Sequence, residues 1–227
     1  MKLPQPNPKG RSSKFRLFRR KEVWTLTLQG WLLVIFFLVI AQVSFFTGAY
    51  PFLAVSAPLQ ADLLVVDGWI PDNGLQQAIA EFRKGQYQKL VTLGSVLPQG
   101  HYLAQYPDFA EMAAATLVVL GMPENQIERV SVPLMQRDRT LNSALTLGRW
   151  LDQRYPQVNR INVFTFSTHA RRSWVLFQRA LSPKRQVGII AAQPQEYDPR
   201  QWWRSSEGVR SVLSEAIAYL YVILLQR

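Results

Sequence analysis

The chain has 227 residues, with 26 Lys and Arg, 15 Asp and Glu, two His and no Cys. That length predicts one domain of ordinary size with an addition, and the missing cysteines exclude thiol catalysis, disulfides and cysteine-ligated zinc. The formal charge of +11 does not point to nucleic acid: eight basic residues crowd into residues 1–21, and the 18 basic and 14 acidic residues after Glu22 leave only +4.

Residues 1–23 form a basic tail that holds a single acid, Glu22. Residues 23–61 carry no charge at all. About 20 apolar residues cross a bilayer as a helix, and residues 24–50 supply them, with Trp24, Trp31 and Tyr50 near the two interfaces. The apolar run exceeds the roughly 7–15 residues of a cleaved signal. Its best cut site, Val55-Ser56-Ala57, is followed by Pro58, so an uncleaved anchor is expected. The positive-inside rule keeps the tail in the cytoplasm and sends everything after Tyr50 across the membrane. Residues 51–60, with two prolines, read as a short linker that holds the following domain close to the membrane.

From residue 61 onward, apolar runs alternate with helical patterns. Strands are predicted over residues 62–67, 89–94, 129–133, 160–166 and 186–192. Helices are predicted over 74–84, 107–120, 140–154, 170–181 and 208–225. Pro107 opens the second of these and Gly121 stands just past its end. Continuous apolar strands alternating with helices predict a three-layer α/β sandwich on a mostly parallel five-stranded sheet.

In such sheets ligands bind beyond the carboxyl ends of the strands. Those ends hold Asp67, Gly68 and Trp69; Gly94 and Ser95; and the run Thr165 through Arg172, which contains Ser167-Thr168-His169-Ala170-Arg171-Arg172. A helix start with two guanidinium groups favours an anion, and this reading is preferred over a capped, solvated basic first turn because it falls at a strand's carboxyl end. His169 can act as general acid or base, or donate to an anion. Gly68 and Gly94 are either ligand-admitting or plain turn residues. Asp67 and Asp72 suit a hydrated divalent cation, but Pro71-Asp72-Asn73-Gly74 is also a sound helix cap, and no metal is assigned. Thr140 is a natural N-cap, with Ser143 one turn on. Glu111 suits its first-turn position by its charge alone. His101 falls in a loop with no partner pattern. Trp174 and the Trp202-Trp203 pair read as core or lid residues. No phosphate-loop, G-x-G-x-x-G, G-x-S-x-G or two-histidine metal motif is present.

The order of motifs resembles the SanA/ElyC/YdcF family of bacterial envelope proteins, over about residues 61–226. The residues that carry the resemblance are Val65-Val66-Asp67-Gly68-Trp69, Thr92-Leu93-Gly94-Ser95, Ala110-Glu111, Gly121-Met122-Pro123, Thr140-Leu141-Asn142-Ser143, and Thr165 with His169 and Arg172. The Asp-Gly-Trp opening and the Asn142-Ser143 pair depart from the family's usual Gly-Gly and Glu-Asn. They resemble a subgroup with Asp-Arg-Thr and His-Ala-Arg-Arg variants and a Trp-Trp ending. The resemblance implies a Rossmann-like sheet behind one N-terminal helix, and a role in envelope integrity tied to peptidoglycan or lipid-carrier metabolism; it does not establish a reaction.

The expected protein is therefore a single-pass inner-membrane protein whose periplasmic domain binds an anionic, phosphorylated metabolite. Its expected partners are the lipid bilayer and an anionic small molecule or a polyprenyl-phosphate-type lipid. Nucleic acid is not a partner, and no cofactor or protein partner is assigned. The expected site comprises Asp67, Gly68, Gly94, Ser95, Glu111, Thr140, Ser143, Thr165, His169, Arg171 and Arg172, with Arg172 on the anion, Arg171 assisting and His169 as the acid or base. A hydrolase or transferase is compatible with this set. A non-catalytic membrane-tethered scaffold and a nucleotide-type cofactor site are the competing readings.

Overall fold

The computed structural model describes residues 24–97 and 105–226; the basic tail and His101 lie outside these. Two compact units are distinguished, residues 1–41 and 42–227. Helix α1 (Leu28–Leu53) begins in the first and ends in the second, and it is long and apolar enough to cross a membrane. Pro51 lies inside α1, so the linker expected from residue 51 starts three residues later. It is no free tether either. Ala57 bridges Ile189 in antiparallel fashion, Ser56 Oγ accepts from the Ala191 amide at 2.9 Å, and the buried Asn162 side chain closes a two-way hydrogen bond with the Leu59 backbone. Polar backbone alongside a sheet edge must find partners, and these residues supply them.

The domain is a five-stranded, all-parallel sheet in the order β3-β2-β1-β4-β5. Its strands are β1 (Leu63–Asp67), β2 (Lys89–Ser95), β3 (Ile127–Val132), β4 (Arg160–Phe166) and β5 (Gln186–Ala192). Between them run α2 (Asp72–Lys84), α3 (Phe109–Val119), α4 (Arg139–Arg154) and α5 (Ala170–Leu181), and α6 (Ser206–Leu224) closes the chain. Because successive strand side chains alternate faces, Leu63 and Val65 pack with Leu147, Leu151, Phe177 and Leu181 of α4 and α5. Leu64 and Val66 pack with Leu75, Ile79, Ala114 and Leu117 of α2 and α3 on the other face. The expected α/β sandwich is the observed one.

Local punctuation explains both ends of α3. Asp108 caps α3 by accepting from the Glu111 amide at 2.9 Å, so the helix starts two residues after Pro107. Gly121, at φ 88°, ends it with the paired Met122→Leu117 and Gly121→Val118 hydrogen bonds of a Schellman turn. The strand order reverses beside β1: its crossovers lead to β2 on one side, while β4 lies on the other. That reversal opens a crevice at the strands' carboxyl ends.

Candidate functional site

A cavity of about 510 Å³ occupies this crevice. Asp67 enters from the end of β1, Gly94 and Ser95 from β2, His169 and Arg172 from the start of α5, and Arg139, Thr140 and Ser143 from α4. Glu215 of α6 closes it. Arg139 and Thr140 open a helix and stand on no strand. The loop after β3 brings them to the strand-end rim, because that loop too leaves a strand's carboxyl end.

The chain reaches His169 by a sharp route. Ser167 takes a left-handed φ of 51°, and a single 3-10 turn, Ser167–His169, follows before α5. Ser167 and Thr168 are pinned rather than presented. Ser167 Oγ lies 2.9 Å from the Tyr197 hydroxyl, and Thr168 Oγ1 lies 2.7 Å from Ser211 Oγ on α6.

His169 is 8 % exposed. Its Nδ1 sits 2.9 Å from Glu215 Oε1, and Trp69 meets the ring edge-on at 5.1 Å. Arg172 grips the same carboxylate in bidentate fashion, Nε donating to Oε2 at 2.8 Å and Nη2 to Oε1 at 3.0 Å, and its Nη1 donates to Thr140 Oγ1 at 3.3 Å. Burial works against charge on Glu215, but hydrogen bonds and positive charge from His169 and Arg172 outweigh it and hold its pKa at about 2. Arg172 Nη2 also lies 3.0 Å from His169 Nδ1, so that nitrogen faces both the Glu215 carboxylate and a guanidinium donor. Nε2 has no hydrogen-bond partner among the described residues. With Nδ1 held by Glu215 and Arg172, Nε2 is the ring nitrogen left to exchange a proton or a hydrogen bond with a bound group.

Asp67 forms the floor. Thr165 Oγ1 donates to its Oδ2 at 2.6 Å from β4, beneath the cavity. Burial raises the Asp67 pKa, opposed by the nearby charge of His169, the Thr165 hydrogen bond and Arg172. The first turn of α4 forms the opposite wall. Its N-cap residue is Asp138, at φ 51°, not Thr140, and it makes no side-chain cap; the Asp138 carboxylate instead accepts from Gln226 Nε2 at 2.9 Å. The amides of Arg139, Thr140 and Leu141 have no acceptor among the described residues, so α4 points an open N-terminus at the cavity.

Seven of the eleven expected residues thus line one cavity: Asp67, Gly94, Ser95, Thr140, Ser143, His169 and Arg172. The other four do something else. Thr165 acts only through Asp67. Glu111 pairs with Arg129 of β3 at 3.1 Å. Arg171 does not assist Arg172: its guanidinium lies 4.0 Å from the Phe52 ring centroid, and its Nε donates to the Phe52 carbonyl. Gly68 admits no ligand. A Cβ there would meet the Phe109 carbonyl oxygen at 2.5 Å, and one on Gly94 would meet the Ala110 nitrogen at 2.5 Å, so both glycines make room for the start of α3. Asp72 sits in the first turn of α2, away from the cavity, and does not join Asp67 in a cation site. Trp202 and Trp174 are packing residues, the first buried against Tyr50 and Leu53 and the second against the sheet.

Glu215 escaped sequence reasoning because it lies 46 residues beyond its partner His169. One signal was available: it is the lone charge among residues 211–226, in an otherwise apolar helix. No family model matches this chain, and no curated protein is significantly similar to it.

Proposed function

We propose that this is a single-pass inner-membrane protein, anchored by α1 with its tail in the cytoplasm, whose periplasmic domain binds an anionic, phosphorylated envelope metabolite in the cavity. The open N-terminus of α4, with Arg139 and Ser143, cradles the anionic group, because three unpaired amides at the positive end of a 16-residue helix suit an oxyanion. Arg172 contributes positive charge, but its main task is to hold Glu215 against His169. His169 Nε2 donates to the bound group or moves a proton at it, over the Asp67 floor. The motif order shared with the SanA/ElyC/YdcF family supports an envelope role. The observation that carries the reading is an uncapped helix start and a buried imidazole with an unpartnered Nε2 on one cavity.

The test is thermal unfolding of the full chain in detergent with inorganic phosphate, a nucleoside monophosphate and farnesyl phosphate. A ligand at 100 times its Kd stabilises by about 2.7 kcal/mol, or roughly 5–10 °C for a domain of this size. At least one probe is expected to give such a shift, and Arg139→Ala and His169→Gln to weaken its binding roughly tenfold or more, while Arg149→Ala leaves it unchanged. A flat response to every probe overturns the reading in favour of a tethered scaffold.

A further inference from the structure

Helix α6 has three faces. Ser211, Glu215, Ala218 and Val222 turn toward Thr168, His169 and the cavity. Val209, Val212, Ala216 and Tyr219 pack with Tyr50, Leu53 and Trp202. The third face carries Leu213, Ile217, Leu220 and Leu224, spaced i, i+4, i+7, i+11, and these are 41 %, 70 %, 54 % and 66 % exposed. Leu225 continues the ridge at 72 % exposure. A water-facing helix of a folded domain normally spends that face on charge, and an apolar ridge of this length marks a contact surface.

The packing of α6 indicates what covers it. The Phe52 ring meets Tyr219 of α6 edge-on at 5.5 Å. Phe46 stacks on Trp202 at 5.5 Å and accepts from its indole N–H at 2.9 Å. Phe46 and Phe52 belong to the uncharged residues 23–61 and to the last turns of α1. A helix of 26 residues is about 39 Å long, more than the roughly 30 Å of a hydrocarbon core. The surplus turns are the ones gripped by the domain, so no spacer separates α6 from the end of the span. Half-exposed Trp203 and Tyr221, with Arg171 over Phe52, supply the aromatic and guanidinium groups that favour the headgroup level.

We infer that the Leu213–Ile217–Leu220–Leu224 ridge of α6 beds in the outer leaflet of the bilayer that α1 crosses. This rests on the reading of α1 as a membrane span. It gives α6 a second task, since the helix that lies on lipid also presents Glu215 to His169 and Arg172 on another of its faces.

The absence of cysteine makes the test direct. Single nitroxide labels are placed on Ile217→Cys, Leu220→Cys, Phe36→Cys and Arg149→Cys in the full chain, in nanodiscs of phosphatidylethanolamine and phosphatidylglycerol. Collisions with oxygen are compared with collisions with a water-soluble nickel chelate. Labels at 217 and 220 are expected to favour oxygen as the label at 36 does, and the label at 149 to favour nickel. Nickel-dominated collisions at 217 and 220 with a lipid-like label at 36 overturn the docking and leave the span standing. A water-like label at 36 overturns the span, and the docking with it. Spin–spin broadening between chains labelled at 217 identifies a second copy of the chain as the occupant and overturns the lipid.

Discussion

Two carboxylates with opposite titration behaviour sit within one cavity, and each gives a measurable signature. Glu215 has a folded pKa of about 2, below the ordinary 4.5, so its contribution is full above pH 4.5 and is lost as pH falls toward 2. A shift of that size is worth on the order of 3 kcal/mol. Glu215→Gln is expected to cost about 3 kcal/mol at pH 7, by leaving Arg172 without its charge partner. It should also flatten the acid limb of the stability–pH curve, as read by urea unfolding between pH 2 and 6. An unchanged limb would assign that limb to other carboxylates. Asp67 behaves in reverse: the folded state keeps its proton above the ordinary 3.8, so its contribution falls as pH rises past that value. Asp67→Asn can still accept from Thr165 and removes the buried ionisation, so its Tm advantage over the natural protein is expected to grow as pH rises above 3.8. A constant difference would show that Asp67 does not titrate there. Arg171 and Arg172 make a further point about single residues. Neighbours on a helix stand about 100° apart, so one guanidinium reaches Glu215 and the other reaches Phe52.

Elements were largely legible from local pattern. The helix over 170–181 and the strands over 160–166 and 186–192 have their predicted bounds, because each is framed by a strong switch from apolar run to amphipathic period. The start of α3 was misplaced because Asp108, not Pro107, satisfies the first amides. The linker was misread for a different reason. Its prolines read as a short linker from residue 51, but Asn162, 103 residues away in β4, takes both the N–H and the C=O of Leu59 and also donates to the Tyr87 hydroxyl at 2.8 Å. Asn162→Leu removes three part-buried hydrogen bonds and leaves the Tyr87 hydroxyl only Glu81 as a partner. It is expected to cost about 1–3 kcal/mol and to speed amide hydrogen exchange at Ala57 and Leu59. Exchange unchanged at those two amides would show that Ile189 and the sheet edge hold the segment unaided.

At the scale of the whole molecule, the end of α1 is part of the domain's core. Tyr50 and Leu53 are buried with Trp202 and Val212, so the domain extends upstream of the linker. A fragment of residues 42–227 retains that cluster, whereas one of residues 61–227 strips Trp202 of its cover. At about 1.5–3 kcal/mol per buried large side chain, the shorter fragment is expected to melt roughly 10 °C lower in calorimetry. Equal melting temperatures would show that the cluster contributes nothing to the fold. Hydropathy and period alone determined the apolar helix, the alternation of strands and helices, and the strand-end location of the site, because these are properties of residues close together in the chain. Only the folded chain decided that Glu215 meets His169, that Gly68 serves α3, and that α4 opens its N-terminus into the cavity. Each of those depends on side chains brought together from distant segments, and pairing at a distance leaves no trace in local composition.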